Sequence, residues 1–321
     1  MRILLAPMEG VVDHHMRATL AGLSHQHHHR GIDACVTEFI RVTDHTLPRS
    51  VFVRACPELL SKPEYPVRVQ LLGSNPESLA SNARKAASLG APAVDLNFGC
   101  PAKTVNKNRG GACLLDETPL IYDIVSAVRS AVPESTPVTV KIRLGYENRA
   151  PFLENAKAIA AAGANELVVH ARSKNDGYRP PAYWEYINEI RQAIAIPVVA
   201  NGEIWSLEDY WRCIEVSGCT DVMLGRGLLA QPDLALQIKA ALSGIDYTAM
   251  TWQQIAHHLF QFFLTTSAFY PGKYLGNRLK QWLHYLQRNY PEAQNFFNDI
   301  KRSREKSEIV ARFETELRVE S

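Results

Sequence analysis

Residues 94–112 read VDLNFGCPAKTVNKNRGGA. An apolar run, Ala93 to Leu96, has strand character and stops at Asn97. A tight Phe98-Gly99 step then presents Cys100, Pro101 stiffens the chain behind it, and the pair Gly110-Gly111 closes the loop. A short apolar run bounded by turn residues reads as a buried strand. A thiol fixed just past such a strand sits where α/β folds place their chemistry, at the carboxyl ends of parallel strands.

Outward from this stretch the same unit recurs. Strands are predicted at Ile3–Ala6, Ala34–Glu38, Val67–Leu72, Ala93–Leu96, Val138–Leu144, Glu166–His170, Pro197–Ala200 and Asp221–Leu224, with helices such as Pro76–Leu89 and Leu207–Ser217 between them. Eight βα units in about 240 residues match the size of a (β/α)8 TIM barrel. A doubly wound sheet would carry a glycine fingerprint after its first strand, and Pro7-Met8-Glu9-Gly10 is no GxGxxG. Beyond about Ile245 strand signals vanish and helices are predicted at Trp252–Phe269, Leu275–Arg288, Glu292–Lys301 and Glu305–Leu317, broken by Pro271-Gly272 and Pro291. The expected organisation is a catalytic barrel over residues 1–245 and an appended all-α domain over 246–321.

With 321 residues, 46% apolar and 21% charged, the chain has the composition of a globular protein. No stretch approaches a membrane span, and the apolar start Met1–Leu5 is too short for a signal peptide, so the expected compartment is the cytoplasm. The six cysteines form no CxxC pair, which suggests neither a zinc site nor a disulfide framework. The segment His25-Gln26-His27-His28-His29-Arg30 reads as a solvated surface loop, since adjacent histidines rarely close a metal site. A net charge of +2 does not by itself announce a nucleic-acid binder.

The polar groups of interest fall at strand ends: Pro7, Met8 and Glu9 after the first, Asn97 and Cys100 after the fourth, His170 and Arg172 at the sixth, Asn201-Gly202-Glu203 at the seventh. Gly225-Arg226-Gly227 follows the eighth, the usual phosphate position of such barrels, where glycines admit backbone N–H groups and the arginine adds a fork. Lys141, between Val140 and Ile142 in a buried strand, needs a partner: a cofactor, or a carboxylate such as Glu38 or Asp95. Gln70 and His170 each have two readings, a ligand contact or a satisfied core group. Cys100 is a nucleophile, a redox thiol, a general acid or a buried structural cysteine; Cys113 is the one other thiol close to the loop.

From Lys273 to Lys306 eight basic residues face three acidic ones, with Trp282, His284, Tyr285 and Tyr290 interleaved. Cations with aromatics among them form an RNA footprint, while an amphipathic core accounts equally well for the aromatics.

Asn97-Phe98-Gly99-Cys100-Pro101, with Val105 and Gly111-Ala112 behind it, resembles the active-site signature of the tRNA-dihydrouridine synthases, and the likeness runs from Ala6-Pro7-Met8-Glu9 to the helical tail. The C-terminal half is most similar to the bacterial synthase C subfamily, which acts at position 16 of the D-loop. The resemblance implies an FMN enzyme that reduces uridine in tRNA with NADPH. The implied FMN residues are Pro7, Met8, Glu9, Gln70, Lys141, His170, Asn201, Gly202, Glu203, Gly225 and Arg226, with Lys141 against the flavin pyrimidine edge. Cys100 is implied as the acid: hydride enters uracil at C6 and a proton at C5, and a thiol with pKa near ~8.5 is mostly protonated at neutral pH. The implied tRNA contacts are Arg41, Asn97, Arg143, Arg278, Lys280, Tyr285 and Lys301, the last replacing an arginine. The loop Lys107-Asn108-Arg109-Gly110-Gly111 is richer in charge than in relatives, and Arg109 either meets RNA or is solvated. No Rossmann motif is present, so NADPH is expected in the same mouth as tRNA, in a monomer with no metal and no obligate protein partner. The rivals are a small-molecule flavin barrel such as a dihydroorotate dehydrogenase, which needs no basic tail, and an RNA-binding module on a degenerate barrel, against which the intact set Cys100, Lys141, His170 and Arg226 argues.

Overall fold

The computed structural model of the protein describes residues 1–26, 29–270 and 274–318. Eight parallel strands follow one another around a closed ring: β1 (Ile3–Leu5), β2 (Ala34–Val36), β3 (Val67–Leu72), β4 (Val94–Phe98), β5 (Val138–Arg143), β6 (Glu166–His170), β7 (Val198–Asn201) and β8 (Val222–Leu224). β8 returns to β1 through the pairs Ile3–Val222, Leu4–Met223 and Leu5–Leu224. The expected barrel is what the chain forms, and closure leaves the ring no open edge. A two-residue strand, Ile40–Arg41, lies beside Leu71 and Leu72 and has no strand-length run in the sequence to announce it.

Every residue of β3, β4 and β6 is buried. Val94, Leu96 and Phe98 alternate with Asp95 and Asn97, so one face of β4 is apolar and the other polar. Burying each aliphatic side chain contributes about 1.5–3 kcal/mol. Leu4, Ala6, Val36, Val168, Val199 and Met223 form one cluster of the core. At the amino-terminal rim the buried pair Arg68–Glu166 stands at 2.5 Å, and the part-exposed Arg2 bridges Glu166 at 2.7 Å and Asp221 at 2.6 Å. Removing Glu166 would leave the Arg68 guanidinium buried without its ion-pair partner, at a cost of roughly 3–5 kcal/mol.

The chain divides into two compact units, and no single cut separates them. One holds Met1–Glu9, Asp33–Ile204 and Glu208–Gly225; the other holds Gly10–Ile32, Trp205–Leu207 and Arg226–Ser321. The boundary expected at residue 245 therefore falls inside the second unit. Its tail helices run Trp252–Ser267, Asn277–Leu286, Pro291–Ile300 and Lys306–Leu317, close to the predicted spans. Pro271 and Gly272 lie outside the described residues. Thr251 and Gln254 close a capping box on the first of these helices. The Trp282 indole N–H donates to the Leu229 carbonyl at 3.1 Å, and Phe262 meets the ring edge-on at 5.2 Å. Arg278 donates to the carbonyls of Gly10 and Val11, both at 2.7 Å, and pairs with Asp13 at 3.1 Å. Such contacts, across 53 and 268 positions of chain, carry no local signal that a composition shift at residue 245 could reveal. The arms His25–Gln26 and His29–Arg30 pair as a short antiparallel ladder rather than an irregular loop; His27 and His28 lie outside the described residues.

Candidate active site

The loop after β4 is built to present one thiol. The Asn97 carboxamide oxygen accepts the N–H groups of Gly99 and Cys100, both at 2.9 Å, which folds the chain into a tight turn. Asn106 holds the other side: its Nδ2 donates to the Cys100 carbonyl at 3.0 Å and to Ala102 at 2.7 Å, and its Oδ1 accepts the Cys113 N–H at 2.8 Å. Gly111 has φ +70°, and a Cβ there would stand 2.8 Å from the Cys100 oxygen, so a larger residue cannot close the loop. Nothing in the stretch KTVNKN marks Asn106 as the hub of the loop, because its partners are fixed only by the fold. Arg109 is exposed and pairs with Glu117 at 2.8 Å, a contact worth at most about 1 kcal/mol.

Burial pushes the Cys100 thiol above its ordinary pKa; a backbone hydrogen bond from Ala102 opposes this, the Glu9 carboxylate reinforces it, and Arg143 opposes it. The thiol therefore keeps its proton at neutral pH. Glu9 is raised in turn by burial and by Glu38.

Lys141 stands on the neighbouring strand β5, paired in register with Asn97 of β4. Its ammonium donates to Asn201 Oδ1 at 3.0 Å, and Asn201 Nδ2 donates to the Met223 carbonyl at 2.8 Å. Neither carboxylate weighed in the sequence is its hydrogen-bond partner. Burial lowers its pKa to about 8, with Arg143 adding to the shift and Asp95 opposing it. Gln70 donates to Asp95 at 2.7 Å and accepts from Asn97 at 2.7 Å, so its amide is engaged within the barrel wall.

At the tip of β6, His170 is 7% exposed and lies against Gly202, where an added Cβ would meet the imidazole Cδ2 at 2.8 Å. Gly202 has φ +115°. Glu203 is paired with Arg172, a fully buried side chain whose Nη1 has no hydrogen-bond partner among the described residues. Gly225 ends β8 with room for a Cβ only 3.4 Å from Met8 Sδ. Arg226, in the second unit, lies over the Trp205 ring at 4.8 Å, and Arg288 lies over the same ring at 4.2 Å.

The residues expected to meet RNA divide into two kinds. Arg143 is 2% exposed and donates to the carbonyls of Gly99, Ser173 and Gly177 at 2.9–3.0 Å. Arg278 is likewise held by the carbonyls beneath it. Both clamp loops, because a guanidinium's donors must be satisfied once it is buried. Arg41, Lys280, Tyr285 and Lys301 keep exposed surface. Trp282 and Tyr290 are core, 1% and 7% exposed.

A protonated thiol, a buried ammonium and a ring of amides at the carboxyl ends of eight strands define a catalytic barrel. The sequence profile described as Dihydrouridine synthase (Dus) matches residues 4–319, and the chain belongs to that family. The tRNA-dihydrouridine(16) synthase of Pseudomonas putida is 51% identical over 306 residues, covering 94% of this chain and 93% of its own. That of Shewanella oneidensis is 48% identical over 314 residues, covering 97% and 96%. Among solved structures, the old yellow enzyme homologue from Zymomonas mobilis shares the fold with a TM-score of 0.52 at 13% identity, over 78% of this chain and 91% of that one. No described helix is long and apolar enough to cross a membrane, and no group of described side chains could hold a metal ion.

Proposed function

We propose that the protein reduces the uridine at position 16 of the tRNA D-loop to 5,6-dihydrouridine, with NADPH as reductant and FMN in the barrel mouth, as a cytoplasmic monomer. The observation that carries this reading is a Cys100 thiol held protonated at the strand tip, in a chain whose close relatives bear that activity in their names.

The mouth suits a flavin mononucleotide. Gly202 lets the chain pass close against His170 at the strand tips, Arg172 brings a buried N–H that finds no partner among the described residues, and Lys141 provides a cation. Pro7, Met8, Glu9, Gln70, Lys141, His170, Asn201, Gly202 and Glu203 would hold it, with Gly225 and Arg226 at its phosphate. When bound and reduced, FMN supplies the hydride that enters uracil C6. Cys100 gives the proton to C5 and regains one from water. Lys141 keeps positive charge in the wall, which favours a reduced, anionic ring. Arg143 and Arg278 act as positioning groups; Arg41, Asn97, Lys280, Tyr285 and Lys301 are assigned to RNA. The target base must leave its stack to reach the mouth.

Two predictions test the cofactor residues. Lys141 is mostly charged at pH 7 and loses its proton through about pH 8. NADPH oxidation by the wild type, followed by stopped-flow flavin bleaching, should therefore fall as pH rises through that value. Lys141→Met should be slower and flat with pH; an unchanged step in the variant would assign it to another group. Arg226→Ala should weaken FMN binding by roughly 1.5–3 kcal/mol, about 10- to 100-fold, as expected for a lost charged hydrogen bond. Fluorescence titration with free FMN measures it, and equal affinity would place the phosphate elsewhere.

A further inference from the structure

Asp95 is buried in β4, two residues before Asn97, and no step above uses it. The sheet register sets Gln70 of β3 and Thr139 of β5 beside it. Thr139 donates its hydroxyl to Asp95 Oδ1 at 2.5 Å, and Gln70 Nε2 donates to Oδ2 at 2.7 Å. Gln70 Oε1 accepts from Asn97 Nδ2 at 2.7 Å, and Asn97 Oδ1 accepts the Gly99 and Cys100 N–H groups. The chain of bonds runs without a break from a buried carboxylate to the turn carrying the thiol.

Polarity makes this chain directional. A carboxylate only accepts, whereas a carboxamide has one donor end and one acceptor end. An ionised Asp95 therefore turns the NH2 of Gln70 towards itself and leaves Oε1 facing Asn97. That oxygen in turn draws the NH2 of Asn97, and only then does Asn97 offer its oxygen to the Cys100 turn. A reversed Asn97 would set its NH2 against two backbone donors. Burial raises the pKa of Asp95 to about 6, while the hydrogen bonds from Thr139 and Gln70, and then the charges of Arg68 and Lys141, favour its ionised form.

We propose that Asp95 is a positioning residue for the Cys100 thiol: its carboxylate sets the direction of the Gln70–Asn97 relay and thereby the turn that aims the proton donor. This rests on reading Cys100 as that donor.

The test reverses the relay. Asn97→Asp alone sets two acceptors against each other, because Gln70 cannot turn without facing Asp95 with its oxygen. In the double variant Asp95→Asn/Asn97→Asp every bond re-forms in the opposite sense: the new amide at 95 donates to Gln70, Gln70 donates to the new carboxylate at 97, and that carboxylate still accepts from the turn. Four quantities are read on the full-length FMN-loaded protein: the rate of Cys100 alkylation by iodoacetamide, located by peptide mass; kcat and KM for a tRNA transcript; and the unfolding midpoint.

Asn97→Asp should lower kcat on the order of tenfold or more, as a misplaced reacting group does, and change the alkylation rate. KM is read apart, since Asn97 is also assigned to RNA. The double variant should recover at least half of the logarithmic loss in both quantities, and a higher unfolding midpoint. A double variant no better than Asn97→Asp, or an Asn97→Asp equal to wild type, overturns the proposal. If Asn97→Asp does not fold, a folded double variant supports it. A double variant that fails to fold where Asp95→Asn alone folds overturns it. Cys100→Ala, run in parallel, separates the two readings: if it still turns over, the donor assignment fails, while the alkylation pattern still reports the relay.

Discussion

Cys100→Ala should leave FMN binding and NADPH oxidation close to wild type and slow uridine reduction on the order of 10²-fold or more, the usual contribution of a general acid. The turn that carries Cys100 is held through backbone atoms by Asn97 and Asn106, so the substitution removes the sulfur and leaves the loop in place. Flavin reduction uses no proton from this thiol, whereas C5 of uracil does. Single-turnover reduction of a tRNA transcript by pre-reduced enzyme, set beside NADPH consumption without RNA, separates the two. The raised thiol pKa adds a sign: the wild type keeps its donor protonated above the ordinary thiol value and loses it only as pH rises further. Cys213, buried and pushed up to about 12, is the control; its replacement by alanine should cost stability and spare the reaction. Near-normal turnover by Cys100→Ala would pass the acid role elsewhere, with Cys113, whose thiol faces the Gly110 carbonyl at 3.3 Å, next to be tested.

The barrel was legible because βα alternation is local. β3 and β6 begin and end at the residues predicted for them, and the thiol's place at a strand tip follows from the turn Asn97-Phe98-Gly99. What stayed hidden depends on pairing across the ring. Lys141 visibly needs a partner, but that Asn201 rather than Asp95 accepts its hydrogen bond follows from geometry sixty residues away. Gln70, Asp95, Asn97, Thr139 and Lys141 all sit at alternate, inward positions of neighbouring strands, a pattern the sequence does contain. Only the register, Gln70 beside Asp95 beside Thr139, turns it into one network. The arginines are harder to read for a related reason. Arg143 and Arg278 carry the same charge as any surface cation, and sequence cannot tell a guanidinium bound by carbonyls from one left for phosphate.

Exposure separates the tail cations: Lys280, although it donates to the Ser303 carbonyl at 3.2 Å, keeps exposed surface, as do Lys301 and Arg304. Replacing Lys280, Lys301 and Arg304 together by alanine should weaken tRNA binding on the order of 10²-fold at low salt and lower the slope of log K against log salt by about 2–3, one counterion per lost contact. Lys280 is a half-buried ammonium whose pKa is lowered by burial and then by Arg304, a crowding of like charge that a phosphate would relieve. Lys301 is exposed and leans on Asn298 at 3.0 Å. NADPH oxidation should be unchanged, since none of the three is assigned to the cofactor. Arg278→Ala should behave differently. It removes a partner of Asp13 and the clamp on Gly10 and Val11, so it should cost roughly 3 kcal/mol of stability, as breaking a largely buried pair does, with little change in the salt slope. Filter binding across a salt series and thermal unfolding of both variants decide between these outcomes. A triple variant with an unaltered slope would remove this cluster from the RNA interface, and an Arg278→Ala variant that kept its stability but lost a counterion would return that arginine to it.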